Sequence, residues 1–76
     1  MILDRNRLKA ERVAKGYTQE YMANALGWET RTPYVKRELG LIDIGIDEFL
    51  AMAEILGYDE TNLSIFFKKN VPEKER

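Results

Sequence analysis

The 76-residue sequence contains no cysteine, no histidine and only two prolines. Without cysteine there is no disulfide framework. Without either cysteine or histidine, the usual zinc sites and nucleophile–base pairs lose their components. The carboxylates are scattered, and no pair of them is placed by its spacing at a shared site. We therefore predict no metal, no cofactor and no enzymatic activity.

Long apolar runs are also absent. No stretch approaches the ~20 residues that are needed to cross a bilayer, and charged residues appear from Asp4 onward, which excludes a signal-peptide core. We expect a cytoplasmic location. A chain of this length supports one hydrophobic core, so the sequence predicts one domain over residues 1–70 and a charged tail over residues 71–76.

The net charge of −1 hides an uneven distribution. Residues 1–40 contain eight basic and five acidic side chains, whereas residues 41–76 contain four basic and eight acidic side chains. A chain polarised in this way can present a basic face to a polyanion while it remains acidic overall. The pattern is compatible with nucleic-acid binding, although a uniformly basic domain would indicate it more strongly.

Helical periodicity and well-placed glycines predict five helices. The expected helices run from a cap at Asp4 or Asn6 to Lys15, from a cap at Thr18 to Leu26, from Pro33 to about Leu39, from about Asp47 to Leu56, and from a cap at Asp59 or Thr61 through Phe67. Thr32 is expected to cap the third helix, because proline suits the first helical position. The side chains predicted to be buried on the fourth helix are Ile46, Phe49, Leu50, Ala53 and Leu56.

Three segments resemble the lambda-repressor-like helix-turn-helix domain of the Xre, Cro/C1-type family. They are GYTQEYMANALG at residues 16–27, ELG at residues 38–40 and DEFLAMAEILG at residues 47–57. The resemblance covers roughly residues 8–63. It implies an all-α, five-helix bundle that acts as a DNA-binding transcriptional regulator. The family further implies a repressor from a prophage or other mobile element that binds double-stranded DNA as a homodimer.

The resemblance also implies which side chains contact DNA once the third helix enters the major groove. Arg31, Thr32 and Lys36 are expected to read base edges. Val35 is expected to touch a thymine methyl group, and Gln19 and Thr30 to position the DNA backbone. The alternative interpretation is that Arg31 and Lys36 belong to a solvated polar face, and that Gln19 is a surface residue beside a simple cap.

Four other residues receive roles from the same pattern. Tyr34 is expected in the core, and Arg12 and Glu38 are expected to form a structural ion pair between the first and third helices. Arg37 occupies a position that is usually apolar in the family, so we expect its stem to cover the core while its charge faces a phosphate. One residue more than the common spacing separates Gly27 from Tyr34, which can shift the groove-facing positions by one.

A second functional class stays open. Six apolar residues exceed what the rim of a monomer requires, and we expect them to form an exposed patch: Leu41, Ile42, Ile44, Ile65, Phe66 and Phe67. In a DNA reader this patch would be the homodimer contact. In a small antirepressor or antitoxin it would bind a partner protein, namely a repressor or a toxin.

Overall fold

The computed structural model describes residues 2–69, which form four α-helices, a short 3₁₀ helix and a pair of antiparallel strands. In chain order the elements are β1 (Ile2–Leu3), α1 (Arg5–Ala14), α2 (Gln19–Ala25), α3 (Thr32–Leu39), α4 (Ile46–Ile55), the 3₁₀ helix (Leu63–Phe66) and β2 (Phe67–Lys68). The predicted charged tail lies outside the described residues. Among the helices of residues 2–69, none is long and apolar enough to cross a membrane.

The predicted fifth helix is wrong, so the fold is mostly helical with a small sheet and not a bundle of five helices. Asp59 accepts hydrogen bonds from the N–H and the hydroxyl of Thr61, and its own N–H donates to Asn62. Such local side-chain bonds compete with helix formation. The chain makes one 3₁₀ turn and then extends, with Phe67 opposite Leu3 in the strand pair.

The helix starts follow the capping signals closely. The Asp4 carboxylate accepts from the N–H groups of Asn6 and Arg7 at the start of α1, and the Thr18 hydroxyl accepts from the N–H of Tyr21 at the start of α2. The start of α3 is one residue earlier than predicted. Arg31 occupies the cap position without a side-chain hydrogen bond, and Thr32 is already helical.

The core lies where α1, α2, α3, α4 and the 3₁₀ helix meet. Its buried apolar residues are Leu8, Met22, Ala23, Tyr34, Phe49, Met52, Ala53, Leu56 and Phe66. The Phe66 ring packs edge-on against Phe49 and Tyr58, with centroid separations of 5.5 and 5.2 Å. Tyr34 is fully buried, which confirms its predicted place in the core.

Two burial predictions are corrected. On α4 the buried stripe passes through Phe49, Met52 and Ala53, so Ile46 and Leu50 lie on its flank and are 67% and 45% exposed. The predicted apolar surface patch fails at its C-terminal half. Phe66 is fully buried, and Ile65 and Phe67 pack half-buried against the core. The same patch also included Ile44, which is half-buried against the core, whereas Leu41 and Ile42 are exposed.

Candidate nucleic-acid interface

A single buried carboxylate joins the first three helices. Glu38 on α3 accepts from Arg12 Nε at 2.9 Å and from Arg12 Nη2 at 3.2 Å, and it also accepts from Gln19 Nε2 and from the Tyr34 hydroxyl, each at 2.9 Å. Arg12 Nη1 donates to the carbonyl oxygen of Tyr17 at 2.8 Å. The predicted Arg12–Glu38 pair is confirmed. This network fixes the orientation of α3 relative to α1 and α2.

The network is charged at neutral pH. Burial opposes ionisation of Glu38, but the hydrogen bonds from Arg12, Gln19 and Tyr34 outweigh it and lower the pKa of Glu38. Burial is the main cause of the raised pKa of the Tyr34 hydroxyl, with the neighbouring Glu38 charge adding to it. Within the described part of the chain, every buried side-chain nitrogen and oxygen has a hydrogen-bond partner. A fully satisfied network of this kind holds one arrangement of the helices.

A second ion pair joins α3 to α4. Arg37 donates from Nε and Nη2 to the two carboxylate oxygens of Glu48, at 2.8 and 3.1 Å, and its Nη1 donates to the carbonyl oxygen of Pro33 at 3.0 Å. The guanidinium carbon lies 4.6 Å from the centroid of the Trp28 ring. The pKa of Glu48 is lowered chiefly by the hydrogen bonds from Arg37.

This geometry corrects one expectation for Arg37. The group that lies against the Trp28 ring is its guanidinium, and the same guanidinium is paired with Glu48, so its charge does not face outward alone as a free phosphate ligand. The role of Glu48 was missed at the level of sequence, although it lies where a capping residue of α4 belongs and accepts from the N–H of Gly45. Arg37 and Glu48 together link α3 to α4.

The outward face of α3 carries the side chains predicted to read bases. Tyr34 and Glu38 are four residues apart and both are buried, so they mark the inward side of α3. Thr32 and Lys36 are likewise four apart, and both are exposed. Val35 is half-buried beside them. The start of α3 therefore presents one small polar, one apolar and one basic side chain on a continuous surface.

Arg31 lies exposed at the N-terminal end of this face and follows exposed Thr30 in the turn. Within residues 2–69, neither Arg31 nor Lys36 forms an ion pair or a side-chain hydrogen bond. The turn between α2 and α3 spans residues 26–31, longer than the ~3–4 residues usual between such helices. The two basic groups are thus available to an external ligand, and the longer turn agrees with the extra residue seen in the sequence.

An open hollow of about 470 Å³ borders the same face. It is lined by Arg12, Val13, Gly16, Tyr17, Thr18, Gln19, Glu20 and Arg31. The Gln19 amide nitrogen carries two hydrogens, and one is donated to Glu38. The second hydrogen remains for another acceptor. The structure thus gathers Thr30, Arg31, Thr32, Val35 and Lys36 at the start of α3, places Gln19 beside the adjoining hollow, and sets Arg37 apart.

A comparison with known protein families agrees with this geometry. The Cro/C1-type, Xre-like helix-turn-helix model matches residues 8–63, which is most of the chain. No curated protein and no solved structure matches the chain. Proteins of the matching family are typically DNA-binding regulators and not enzymes. On the extent of this match, the chain belongs to the Cro/C1-type helix-turn-helix family.

Proposed function

We propose that the protein is a sequence-specific transcriptional repressor that places α3 in the major groove of its operator. The observation that carries the proposal is the outward face of α3, where Arg31 and Lys36 are exposed and free of partners among the described residues. The other arginines near α3 are already engaged, since Arg12 binds Glu38 and Arg37 binds Glu48. An uncompensated basic face on a braced helix suits a negatively charged ligand.

The chemistry of this face fits base recognition. Arginine and lysine can donate to O6 and N7 of guanine, and a good bidentate contact contributes ~1–3 kcal/mol of discrimination against the wrong base. The methyl groups of Thr32 and Val35 suit the thymine methyl group. We assign base reading to Arg31, Thr32 and Lys36, with Val35 as the apolar contact. This assignment keeps the register that the sequence suggests.

Positioning on the DNA backbone falls to residues beside α3. The second amide hydrogen of Gln19 and the hydroxyl of Thr30 are donors of the kind that bind phosphate oxygens. Arg37 supports the interface indirectly, because its pairing with Glu48 holds α3 against α4. Because few basic groups are free, we expect few contacts to phosphates. The affinity for DNA should therefore fall with salt concentration with a shallow slope.

The proposed repressor acts as a homodimer. Four large apolar side chains are exposed at the last residue of α3, in the turn that follows it and at the start of α4: Leu39, Leu41, Ile42 and Ile46, at 67%, 71%, 39% and 67%. We call these residues the 39–46 patch. A symmetric contact between two such patches buries apolar surface on both copies and places two α3 helices side by side, as two half-sites of an operator require.

The 39–46 patch also supports a second candidate function. A small antirepressor or antitoxin would use an exposed apolar surface to bind a repressor or a toxin. The two functions differ in what they require of α3, because partner binding through the patch does not need Arg31 or Lys36. Variants of these two residues therefore separate the candidates.

Fluorescence anisotropy on a labelled pool of random duplex DNA, repeated across a salt series, tests the proposal. We expect binding that weakens with salt, with the shallow slope of a few phosphate contacts, and that is lost in Arg31→Ala/Lys36→Ala. Lys9→Ala/Lys15→Ala is the matched control, because it removes the same charge from α1 and should retain most of the binding. Absence of binding at low salt, or equal loss in both double variants, would contradict a reading role for α3 and direct attention to a protein partner.

A further inference from the structure

A second hollow, of about 270 Å³, lies between the C-terminal half of α4 and the loop that precedes the 3₁₀ helix. Its apolar floor includes Leu50, Ala53 and Leu63, and its edge carries Glu54, Asp59 and Glu60. We call this feature the acidic groove. None of its lining residues comes from α2, from the turn over residues 26–31 or from α3. It is therefore separate from the candidate DNA interface.

The floor of the acidic groove is incompletely covered. Leu50 remains 45% exposed, and Ile46, one helical turn earlier, continues the exposed apolar strip along α4. Ala53 is buried at the base, and Leu63 is half-buried. Contact between Leu50 and an apolar group of another molecule would remove this exposed apolar surface from water, which is favourable in free energy.

The edge of the groove is uniformly acidic. Glu54, Asp59 and Glu60 are exposed, and none of them forms a salt bridge within the described residues. The Asp59 carboxylate is held in place by two hydrogen bonds from Thr61. A cation, Lys15, lies beyond the C-terminal end of α4, where its Nζ approaches Gly57. Three carboxylates beside an apolar floor favour a ligand that is both apolar and positively charged.

We propose that the acidic groove docks a segment of a partner protein in which apolar side chains are flanked by lysine or arginine. A contact between the acidic grooves of two copies would place like charges against each other, which is unfavourable. Nucleic acid is repelled for the same reason. A basic amphipathic segment instead satisfies both the apolar floor and the carboxylates.

This inference goes beyond repression and does not rest on DNA binding. Because the acidic groove and the outward face of α3 share no residue, a partner segment and DNA can be bound at the same time. The protein would then connect an operator to a second protein, or deliver a bound protein to DNA. The proposal defines the partner only by the chemistry of its segment, which combines apolar side chains with positive charge.

Two short synthetic peptides with the same helical spacing of leucines test the proposal, one with lysine and one with glutamate at the remaining positions. The probe is each fluorescently labelled peptide, titrated against the 76-residue protein and followed by anisotropy. Amide chemical shifts of isotopically labelled protein locate the contact. We expect the lysine peptide to bind, to shift the amides of Leu50, Glu54 and Leu63, and to weaken with salt.

Matched variants separate the groove from general attraction to negative charge. Leu50→Ser should weaken binding of the lysine peptide about tenfold, since it removes an exposed aliphatic side chain that the bound peptide would cover. Ile2→Ser removes an aliphatic side chain that is 43% exposed, close to the 45% of Leu50, and that lies outside both the groove and the 39–46 patch, so it should leave binding unchanged. Glu54→Gln/Glu60→Gln should weaken binding by a similar factor, whereas Glu20→Gln/Glu29→Gln removes the same charge elsewhere and should not.

Several results would overturn the proposal. These are equal binding of both peptides, equal loss in the groove variants and their controls, and shifts confined to another surface. If Leu50→Ser dissociates a homodimer while neither peptide binds, the groove belongs to a contact between copies. Tighter lysine-peptide binding by Val71→Ser/Lys74→Ser would identify the chain's own C-terminal residues as the occupant. The DNA titrations of the parent protein and of Arg31→Ala/Lys36→Ala use neither these peptides nor the groove variants, so they test the proposed function separately.

Discussion

The Arg12 guanidinium and the Glu38 carboxylate form a two-point ion pair, at 2.9 and 3.2 Å, with both side chains less than a tenth exposed. The pair connects the first helix to the proposed recognition helix, 26 residues later in the sequence. A buried pair of this type is costly to break from one side, because the remaining charge stays in the interior without compensation. The positioning of α3 therefore depends on a residue of another helix.

Removing one member of this pair is expected to cost more than removing both. Arg12→Met should lower the free energy of unfolding by ~3–5 kcal/mol, and Arg12→Met/Glu38→Leu should recover part of that loss. Urea unfolding followed by the fluorescence of Trp28, the single tryptophan, measures both. Arg7→Met is the control, since Arg7 pairs with Glu11 on the surface and should cost ~1 kcal/mol or less. Equal losses for Arg12→Met and Arg7→Met would contradict the prediction.

Stability is expected to fall in acid. The pKa values of Glu38 and Glu48 are lowered in the folded protein from an ordinary value of 4.5. A carboxyl with a lowered folded pKa contributes stability that is present above its unfolded pKa and lost as the pH falls through its folded pKa. Urea midpoints should therefore be steady above pH 4.5 with respect to these two groups and decline below it. Glu48→Gln should reduce the slope of that decline, and an unchanged slope would count against it.

Arg37 is expected to contribute to the stability of the protein and not to its preference among DNA sequences. Arg37→Ala removes the pair with Glu48 and the contact with the Trp28 ring, and should cost about 1 kcal/mol of unfolding free energy. Any loss of DNA affinity should be the same for every sequence, because the Arg37 side chain does not face the major groove of the DNA in the proposed complex. Glu48→Gln provides the matched comparison in the same unfolding assay. A change in base preference for Arg37→Ala would show that its charge reaches the DNA after all.

Arg31→Ala should relax specificity at one base position. A lost bidentate contact to guanine reduces discrimination by ~1–3 kcal/mol at that position and leaves the others intact. Sequencing of duplexes selected from a random pool by the parent protein and by Arg31→Ala measures the change. Lys36→Ala should affect a different position in the same assay. A uniform loss on all sequences would instead assign Arg31 to the phosphate backbone.

The 39–46 patch is expected to hold the homodimer together. Leu41→Ser or Ile46→Ser exchanges an exposed apolar side chain for a polar one, so light scattering at micromolar concentration should show a shift toward monomer. Val13→Ser is the control, since Val13 is 58% exposed on α1 and lies outside the patch. A parent protein that is monomeric both with and without DNA would rule out the dimer.

Local signals account for the parts of the fold that the sequence predicts well. Asp4 and Thr18 act as caps within their own helices, and Gly40 ends α3 in a left-handed conformation with φ of +86°. The resemblance adds the Arg12–Glu38 pair, which no spacing rule would have found. The resemblance, and not a local signal, also implied the DNA-facing positions of Arg31 and Lys36, and both side chains are exposed.

The errors arise where a distant residue decides the outcome. Helical spacing of Leu63 and Phe66 predicts a fifth helix, but Phe67 extends to pair with Leu3, more than sixty residues earlier. Apolar character alone placed Phe66 on the surface, whereas Phe49 and Tyr58 enclose it. Likewise, the partner of Arg37 is Glu48 on another helix. Which acidic residue pairs with Arg37 depends on how α3 and α4 pack together.

The position of Phe66 has a consequence for biosynthesis. The Phe66 side chain completes the core, and its carbonyl oxygen accepts from the N–H of Asp4 at 2.7 Å. A nascent chain that ends before residue 66 lacks this ring and the partner of β1, so its first helices have an open apolar face. Folding of the domain must therefore wait until Phe66 has left the ribosome. During that interval the earlier helices expose apolar surface, so a short delay protects them from aggregation.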